Sequence, residues 1–283
     1  MQNEFSESKV IIFDTTMRDG EMMPGVKMNG DQKMSIAKLL NQMRVDVIEV
    51  GYPGAFMKDF DEISMISKKI KEATICGLSS SKQEEIVSVA LALKPAAKGR
   101  INVFTPINLK NQSELSKKEI LEIIKHSVSL ARNYCADVEW SAFDAFRSEP
   151  DFLCKAVEAA IKNGATTVAI PDSFGTSSPE EFSGLIAMIM NRIPNIDQVA
   201  IAVHCHDDLG LAVENSLAAL ASGAKQIECS INGLGARKGN ADLEKVVSAI
   251  AQCPNYKVDI ETSLLSAASE LVTQITGITR SLV

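Results

Sequence analysis

Residues 198–223 read QVAIAVHCHDDLGLAVENSLAALASG, and this stretch decides the fold. The run from Gln198 to His206 is apolar and β-branched and predicts a strand, while the residues from Gly210 onward predict a helix over 210–223. A strand that turns directly into a helix is one β/α unit. Working outward, further strands are predicted at 10–16 (VIIFDTT), 47–52 (VIEVGY), 73–78 (ATICGL), 100–105 (RINVFT), 137–142 (DVEWSA), 166–171 (TTVAIP) and 226–232 (QIECSIN). Helical patterns lie between and after them at about 31–44, 57–71, 82–94, 117–134, 150–163, 178–193 and 240–252. Eight strands alternating with eight helices predict an α/β chain of the (β/α)8 TIM-barrel class over residues 1–259. Residues 260–283, rich in Leu, Ala, Val and Ile, read as a C-terminal helical extension that covers the barrel, pairs with a second subunit, or begins a further subdomain.

Three helix starts carry their own punctuation. Ser178-Pro179-Glu180-Glu181 supplies an N-cap, a proline at the first helical position and a capping-box glutamate. Ser116 with Glu119 and Ser81 with Glu84 repeat the same S-x-x-E signal.

With 283 residues, 46% of them hydrophobic, the chain can bury a large core. Its net charge of -7, with basic residues scattered, argues against a nucleic-acid surface. No uncharged apolar run approaches a membrane span and the N-terminal residues are polar, so a cytoplasmic protein without a membrane partner is expected. Six cysteines without a C-x-x-C pair fit reduced, buried thiols.

Within the deciding stretch, His204 and His206 stand two residues apart. Strand residues at i and i+2 point to the same side, so both imidazoles can reach one ion, and Cys205 between them should face the helices. In a barrel of this class the functional residues gather at the C-terminal ends of the strands. Arg18 and Asp19 follow strand 1, Ser173 follows strand 6, and the loop NGLGARKGN follows strand 8. All therefore converge on one mouth. Two imidazoles and a carboxylate that leave coordination positions open suit a divalent Mn, Mg, Fe or Zn ion. The glycines at 233, 235 and 239 lack a phosphate-loop signature and are expected to shape a tight loop presenting Asn240.

The motifs FDTTMRDGEMMPG, HCHDDLGLAVENSLAAL and INGLGARKGNADLE, in this order and spacing, resemble the Claisen-condensing barrel enzymes typified by 2-isopropylmalate synthase. Homocitrate and citramalate synthases and hydroxymethylglutaryl-CoA lyase belong to the same superfamily. The resemblance implies a divalent ion held by Asp19, His204, His206 and Asn240. It implies Arg18 stabilising negative charge beside that ion, Ser173 against a substrate carboxylate, acetyl-CoA and a 2-oxo acid as substrates, and a homodimer. Other roles stay open: Arg18 in an ion pair with Asp14 or Glu49, and Asn240 as the N-cap of the last barrel helix. The chain departs from the family pattern at three polar positions, with Met22 for a glutamine, Phe143 for a carboxylate and Ala236 for a glutamate. A condensing enzyme, a metal-dependent carbon–carbon lyase and a non-catalytic metal-binding homologue are the readings that remain. The missing cysteine in the strand 8 loop disfavours a lyase of the hydroxymethylglutaryl kind. If the strand 5 register is off, Glu139 or Asp144 takes the catalytic position and Phe143 packs behind the strand.

Overall fold

The computed structural model describes residues 7–111 and 115–279. Eight parallel strands close into a barrel: β1 (Ile11–Asp14), β2 (Val47–Gly51), β3 (Thr74–Ser80), β4 (Gly99–Pro106), β5 (Asp137–Phe143), β6 (Thr167–Asp172), β7 (Ala200–Cys205) and β8 (Gln226–Cys229). Closure runs through the pairing of Ile11 with Gln226 to Asp14 with Cys229. Helices α1 (Gly30–Gln42), α2 (Lys58–Lys69), α3 (Gln83–Leu93), α4 (Lys117–Tyr134), α5 (Pro150–Lys162), α6 (Pro179–Arg192), α7 (Ala212–Ala221) and α8 (Leu243–Ile250) follow the strands in turn. The (β/α)8 TIM barrel is therefore the fold. Its strands are covered on both faces, which is why β2, VIEVG, is buried at every position and reads as one near-continuous apolar run.

Chain polarity sets where side chains go. On β5, Glu139, Ser141 and Phe143 point into the barrel, while the buried Trp140 faces the helix layer and donates its indole N–H to Thr105 Oγ1 at 2.9 Å. The same alternation puts Cys205 against α7, where its thiol meets Ser216.

Several boundaries differ from the sequence reading. Strand seven ends at Cys205, and His206 lies just past it in an isolated antiparallel bridge to Asn240. The last barrel helix starts at Leu243, not 240, because Asp242 is its N-cap and accepts from the Lys245 N–H at 2.9 Å. Asn240 is thus not an N-cap. The boxes at Ser116 and Ser178 form, but Ser81 caps nothing: its hydroxyl donates to the Phe104 carbonyl at 3.1 Å and lies 2.8 Å from Thr105 Oγ1. Strand β4 captures that side chain, and Lys82 becomes the N-cap of α3 without a side-chain bond.

A ninth helix, α9 (Leu265–Thr276), packs against α1 and the single turn Ile231–Gly233. Its anchor is Asn232, held at φ +58°, whose Nδ2 donates to Ser269 O, Thr273 Oγ1 and Ile278 O. Its Oδ1 accepts from Ser269 Oγ at 2.6 Å. No helix among the described residues is long and apolar enough to cross a membrane.

Candidate active site

Asp19, His204 and His206 come together at the barrel mouth, all buried, with one ligand atom of each within 4.8 Å of the others. His204 reaches in from the end of β7, Asp19 from the turn after β1, and His206 from the first residue beyond β7. Each imidazole is anchored by Nδ1, His204 to Glu228 Oε2 at 2.8 Å and His206 to the Gly239 carbonyl at 3.3 Å. That leaves both Nε2 atoms for a ligand, and His204 Nε2 is buried without a partner. Asn240 completes the set: its Nδ2 donates to Asp19 Oδ2 at 2.8 Å and Leu234 O at 2.9 Å, while its buried Oδ1 has no partner. Two orphaned acceptors facing a carboxylate would be costly in a sealed core. They fit a divalent cation, which accepts lone pairs from nitrogen and oxygen alike.

Electrostatics prepare these groups for that role. Burial, with each ring's cationic neighbours, pushes His204 down and His206 down to about 4, so both are neutral ligands at ordinary pH. Burial alone would raise Asp19, but Arg18, the two imidazoles and the Asn240 amide outweigh it and hold the carboxyl well below the usual range. The loop after β8 supplies the rest of the frame. A Cβ on Gly235 would lie 2.4 Å from Asn240 Nδ2, and one on Gly239, at φ +108°, would lie 2.1 Å from the Gly233 carbonyl. Glycine is required at both places for Asn240 to reach Asp19.

Behind His204 lies a polar chain that sequence reasoning missed. Glu228 accepts from His204 on one side and neighbours Glu139 on the other, with the Oε1 atom of each carboxyl buried without a partner. Burial raises both carboxyls, Glu139 to about 8 and Glu228 to about 7. Glu139 Oε2 also accepts from Arg100 at 2.8 Å and Gln226 at 3.0 Å. Acidic residues at inward positions of apolar strands were the available signal. A second acidic group, Glu21, Asp59 and Glu62, is not a vacant cation site: Lys33 Nζ lies 2.7 Å from Glu21, 2.8 Å from Glu62 and 3.6 Å from Asp59.

Arg18 lies beside Asp19, His204 and His206. Its Nε donates to Glu49 Oε2 at 2.6 Å and its Nη1 to Asp19 Oδ1 at 2.7 Å, and Thr15 Oγ1 and Asn102 Nδ2 complete the shell around Glu49. The ion pair with Glu49 is therefore present, and Asp14 is bonded to Thr16 instead. The pairing does not withdraw Arg18 from the cavity, which it lines together with Asp19, His204, His206 and Ser173. Ser173 Oγ accepts from the Asp144 N–H at 2.9 Å.

The cavity above these groups has a volume of about 350 Å³. Met22, Phe143 and Ala236 all line it. Phe143 closes β5 opposite Pro106 and is 41% exposed, while Glu139 sits two inward positions deeper in the Arg100 network. Asp144 turns away at φ +64° and grips Arg147 through both oxygens at 2.7 Å. Neither carboxylate takes the place at the mouth that Phe143 occupies.

The profile of the family described as HMGL-like matches residues 9–272. The chain belongs to the HMGL-like family. Over 277 residues, 96% of this HMGL-like chain, it is 47% identical to a 2-isopropylmalate synthase of Rhodopseudomonas palustris (strain TIE-1), of which it covers 53%. It is 46% identical to the 2-isopropylmalate synthase of Methylococcus capsulatus (strain Bath), covering 95% of this chain and 54% of that one. The chain spans about half the length of these curated relatives. Among solved structures, an HMG-CoA lyase of Bacillus subtilis superposes with a TM-score of 0.81 at 22% identity, covering 96% of this chain and 95% of that one. An HMG-CoA lyase of Acinetobacter baumannii, in complex with coenzyme A and 3-methylmalate, gives 0.81 at 18% identity, with 99% and 94% covered. At such identity these two structures speak for the (β/α)8 fold alone.

Proposed function

We propose that this barrel catalyses a divalent-metal-dependent Claisen-type condensation of acetyl-CoA with a 2-oxo acid, of the 2-isopropylmalate synthase type. The observation that carries the reading is Arg18 bonded to Asp19 beside two Nδ1-anchored imidazoles on the floor of one cavity. Asp19, His204, His206 and the Asn240 carbonyl oxygen would hold the ion, Mn, Mg or Zn, which when bound would polarise the keto group of a 2-oxo acid that chelates it. The Glu228 and Gly239 acceptors fix the imidazole tautomers, so that Nε2 presents its lone pair and Nδ1 keeps its proton. Arg18 carries a permanent charge, and its bonds to Glu49 and Asp19 aim it without any reorganisation during reaction. It stabilises the negative charge that develops on oxygen as the acetyl methyl carbon, giving up a proton, joins the keto carbon; overall that proton passes to the new alkoxide, and water then cleaves the thioester to free the CoA thiol. Ser173 Oγ accepts from the Asp144 amide, which leaves its hydroxyl proton to donate to the substrate carboxylate.

A cytoplasmic homodimer belongs to this reading, and light scattering on the purified protein checks the assembly. The activity is tested by incubating the Mn-loaded protein with acetyl-CoA and a panel of 2-oxo acids, and following release of the CoA thiol. Thiol release that depends on both ion and 2-oxo acid is expected. An ion-loaded protein that releases no thiol with any acceptor, yet cleaves 2-hydroxy diacyl substrates, would establish the lyase reading in its place.

A further inference from the structure

The half of the mouth facing the ion ligands is lined by rings. Tyr52 follows β2, Phe104 lies on β4, Phe143 ends β5 and Phe174 follows β6, and each meets the next: centroids are 5.8 Å apart for Tyr52–Phe104, 6.4 Å for Phe104–Phe143 and 6.4 Å for Phe143–Phe174. All three pairs are tilted or edge-on, the arrangement that ring quadrupoles favour. The arc is also held in place. Tyr52 donates its hydroxyl to Glu85 at 2.7 Å, and the Arg147 guanidinium stacks 3.6 Å from the Phe174 ring while Asp144 grips it from behind. These rings line an open cavity rather than a filled core, and Phe143 keeps much of its surface uncovered there.

Resting on the proposed 2-oxo acid site, we infer that the aromatic arc is the subsite for the acceptor's side chain and that this chain selects 2-oxo acids bearing an aryl or comparably large apolar group. A 2-oxo acid that presented its keto oxygen and carboxylate to an ion held by Asp19, His204 and His206 would direct its side chain away from them, toward the arc. The positions where the resemblance implies polar groups, and which here carry Met22, Phe143 and Ala236, lie more than two hundred residues apart at their extremes yet line this one cavity. Of the three, Phe143 belongs to the arc, whereas Met22 follows β1 and Ala236 lies in the loop after β8, where its N–H donates to Asp19 Oδ2 at 3.2 Å. An apolar ring at 143 beside Tyr52, Phe104 and Phe174, with Asp19, His204 and His206 in place, is what a changed acceptor requires. It also disfavours a small polar acceptor, whose side chain would lose water against four rings without recovering hydrogen bonds.

The test is titration calorimetry of the full chain loaded with Mn²⁺, using 3-phenyl-2-oxopropanoate and pyruvate, each without acetyl-CoA. The aryl acid should bind at least tenfold more tightly than pyruvate, and Phe143→Ala should bring the ratio to within about threefold while pyruvate affinity and metal content stay as they were. Phe143→Leu, which preserves bulk and apolarity without a ring, should give an intermediate ratio. Equal affinities in the unsubstituted protein, or a ratio indifferent to both substitutions, would overturn the inference while leaving the 2-oxo acid site standing. If acetyl-CoA affinity is what Phe143→Ala reduces, the arc serves the thioester and the inference is wrong. If neither acid binds a fully metal-loaded protein, the proposed site itself fails, and the inference with it.

Discussion

The two halves of the barrel mouth are built from the same elements and behave as different materials. The half made by β7, β8 and β1 is a lattice of directed bonds, in which Asp19 is fixed by Arg18 and Asn240, and each imidazole by one acceptor. The half made by the ends of β2, β4, β5 and β6 is a row of rings that meet tilted or edge-on, with Phe174 pinned by Arg147. In the first, a displaced atom loses a bond outright. In the second, one apolar shape can replace another at modest cost. On the reading proposed above, the bonded half sets what reaction is possible, and the packed half sets which molecule undergoes it.

Breaking the bonded half should have the largest effect. His206→Ala removes a proposed ion ligand, so metal content measured after dialysis should fall from one ion per chain to a small fraction; a stoichiometric ion in that variant would misassign the site. Arg18→Ala should come next. It leaves the ligands in place and should cost about 10² to 10³ in turnover with metal content unchanged, and Arg18→Lys should recover little because the forked bonds to Glu49 and Asp19 are lost. Unaltered turnover in Arg18→Ala would remove this residue from the reaction. Where the two halves meet, Ser173→Ala should raise the KM for the 2-oxo acid about tenfold, the scale of one hydrogen bond to a charged group. A change confined to kcat would show that Ser173 does not hold the substrate carboxylate.

The smallest effect concerns the support beneath the bonded half. Glu139 keeps its proton up to about pH 8, whereas an unfolded glutamate loses it near 4.5. Between these values the native chain binds a proton that the unfolded chain has released, so this group's contribution to stability declines as pH rises. Glu139→Gln mimics the protonated acid, and should flatten the fall in melting temperature between pH 5 and pH 8 by roughly 3 °C. An unchanged slope would show that the Glu139–Glu228 pair carries no extra proton.

Much of this was legible in the sequence because the barrel writes itself as period: apolar runs such as VIEVG and QVAIAVHCH bury both faces and leave little room for another assignment. Asp19, His204 and His206 were legible for the same reason, since strand ends in this fold share one mouth. Less visible was whatever depends on contacts between distant strands. Lys33, fully buried in α1, looks like a surface lysine until Glu21, Glu62 and the Val50 carbonyl are seen around its ammonium group. Ser81 carried a capping signal that lost to Phe104 and Thr105 of the neighbouring strand. Tyr52, Phe104 and Phe174 read singly as ordinary apolar residues, and only closure of the barrel sets them in a row with Phe143.

Asn232 gives the last helix more weight than its place in the chain suggests. Its amide binds Ser269 and Thr273 of α9 and Ile278 just beyond it, and the loop it begins ends eight residues later at Asn240, which bonds Asp19. Helix α9 is therefore a handle on the loop that would complete the proposed ion site. A load, a fusion partner or a bound protein that shifts this helix would be felt at Asn240, and ion affinity would serve as a remote gauge of what is attached to the barrel's far flank.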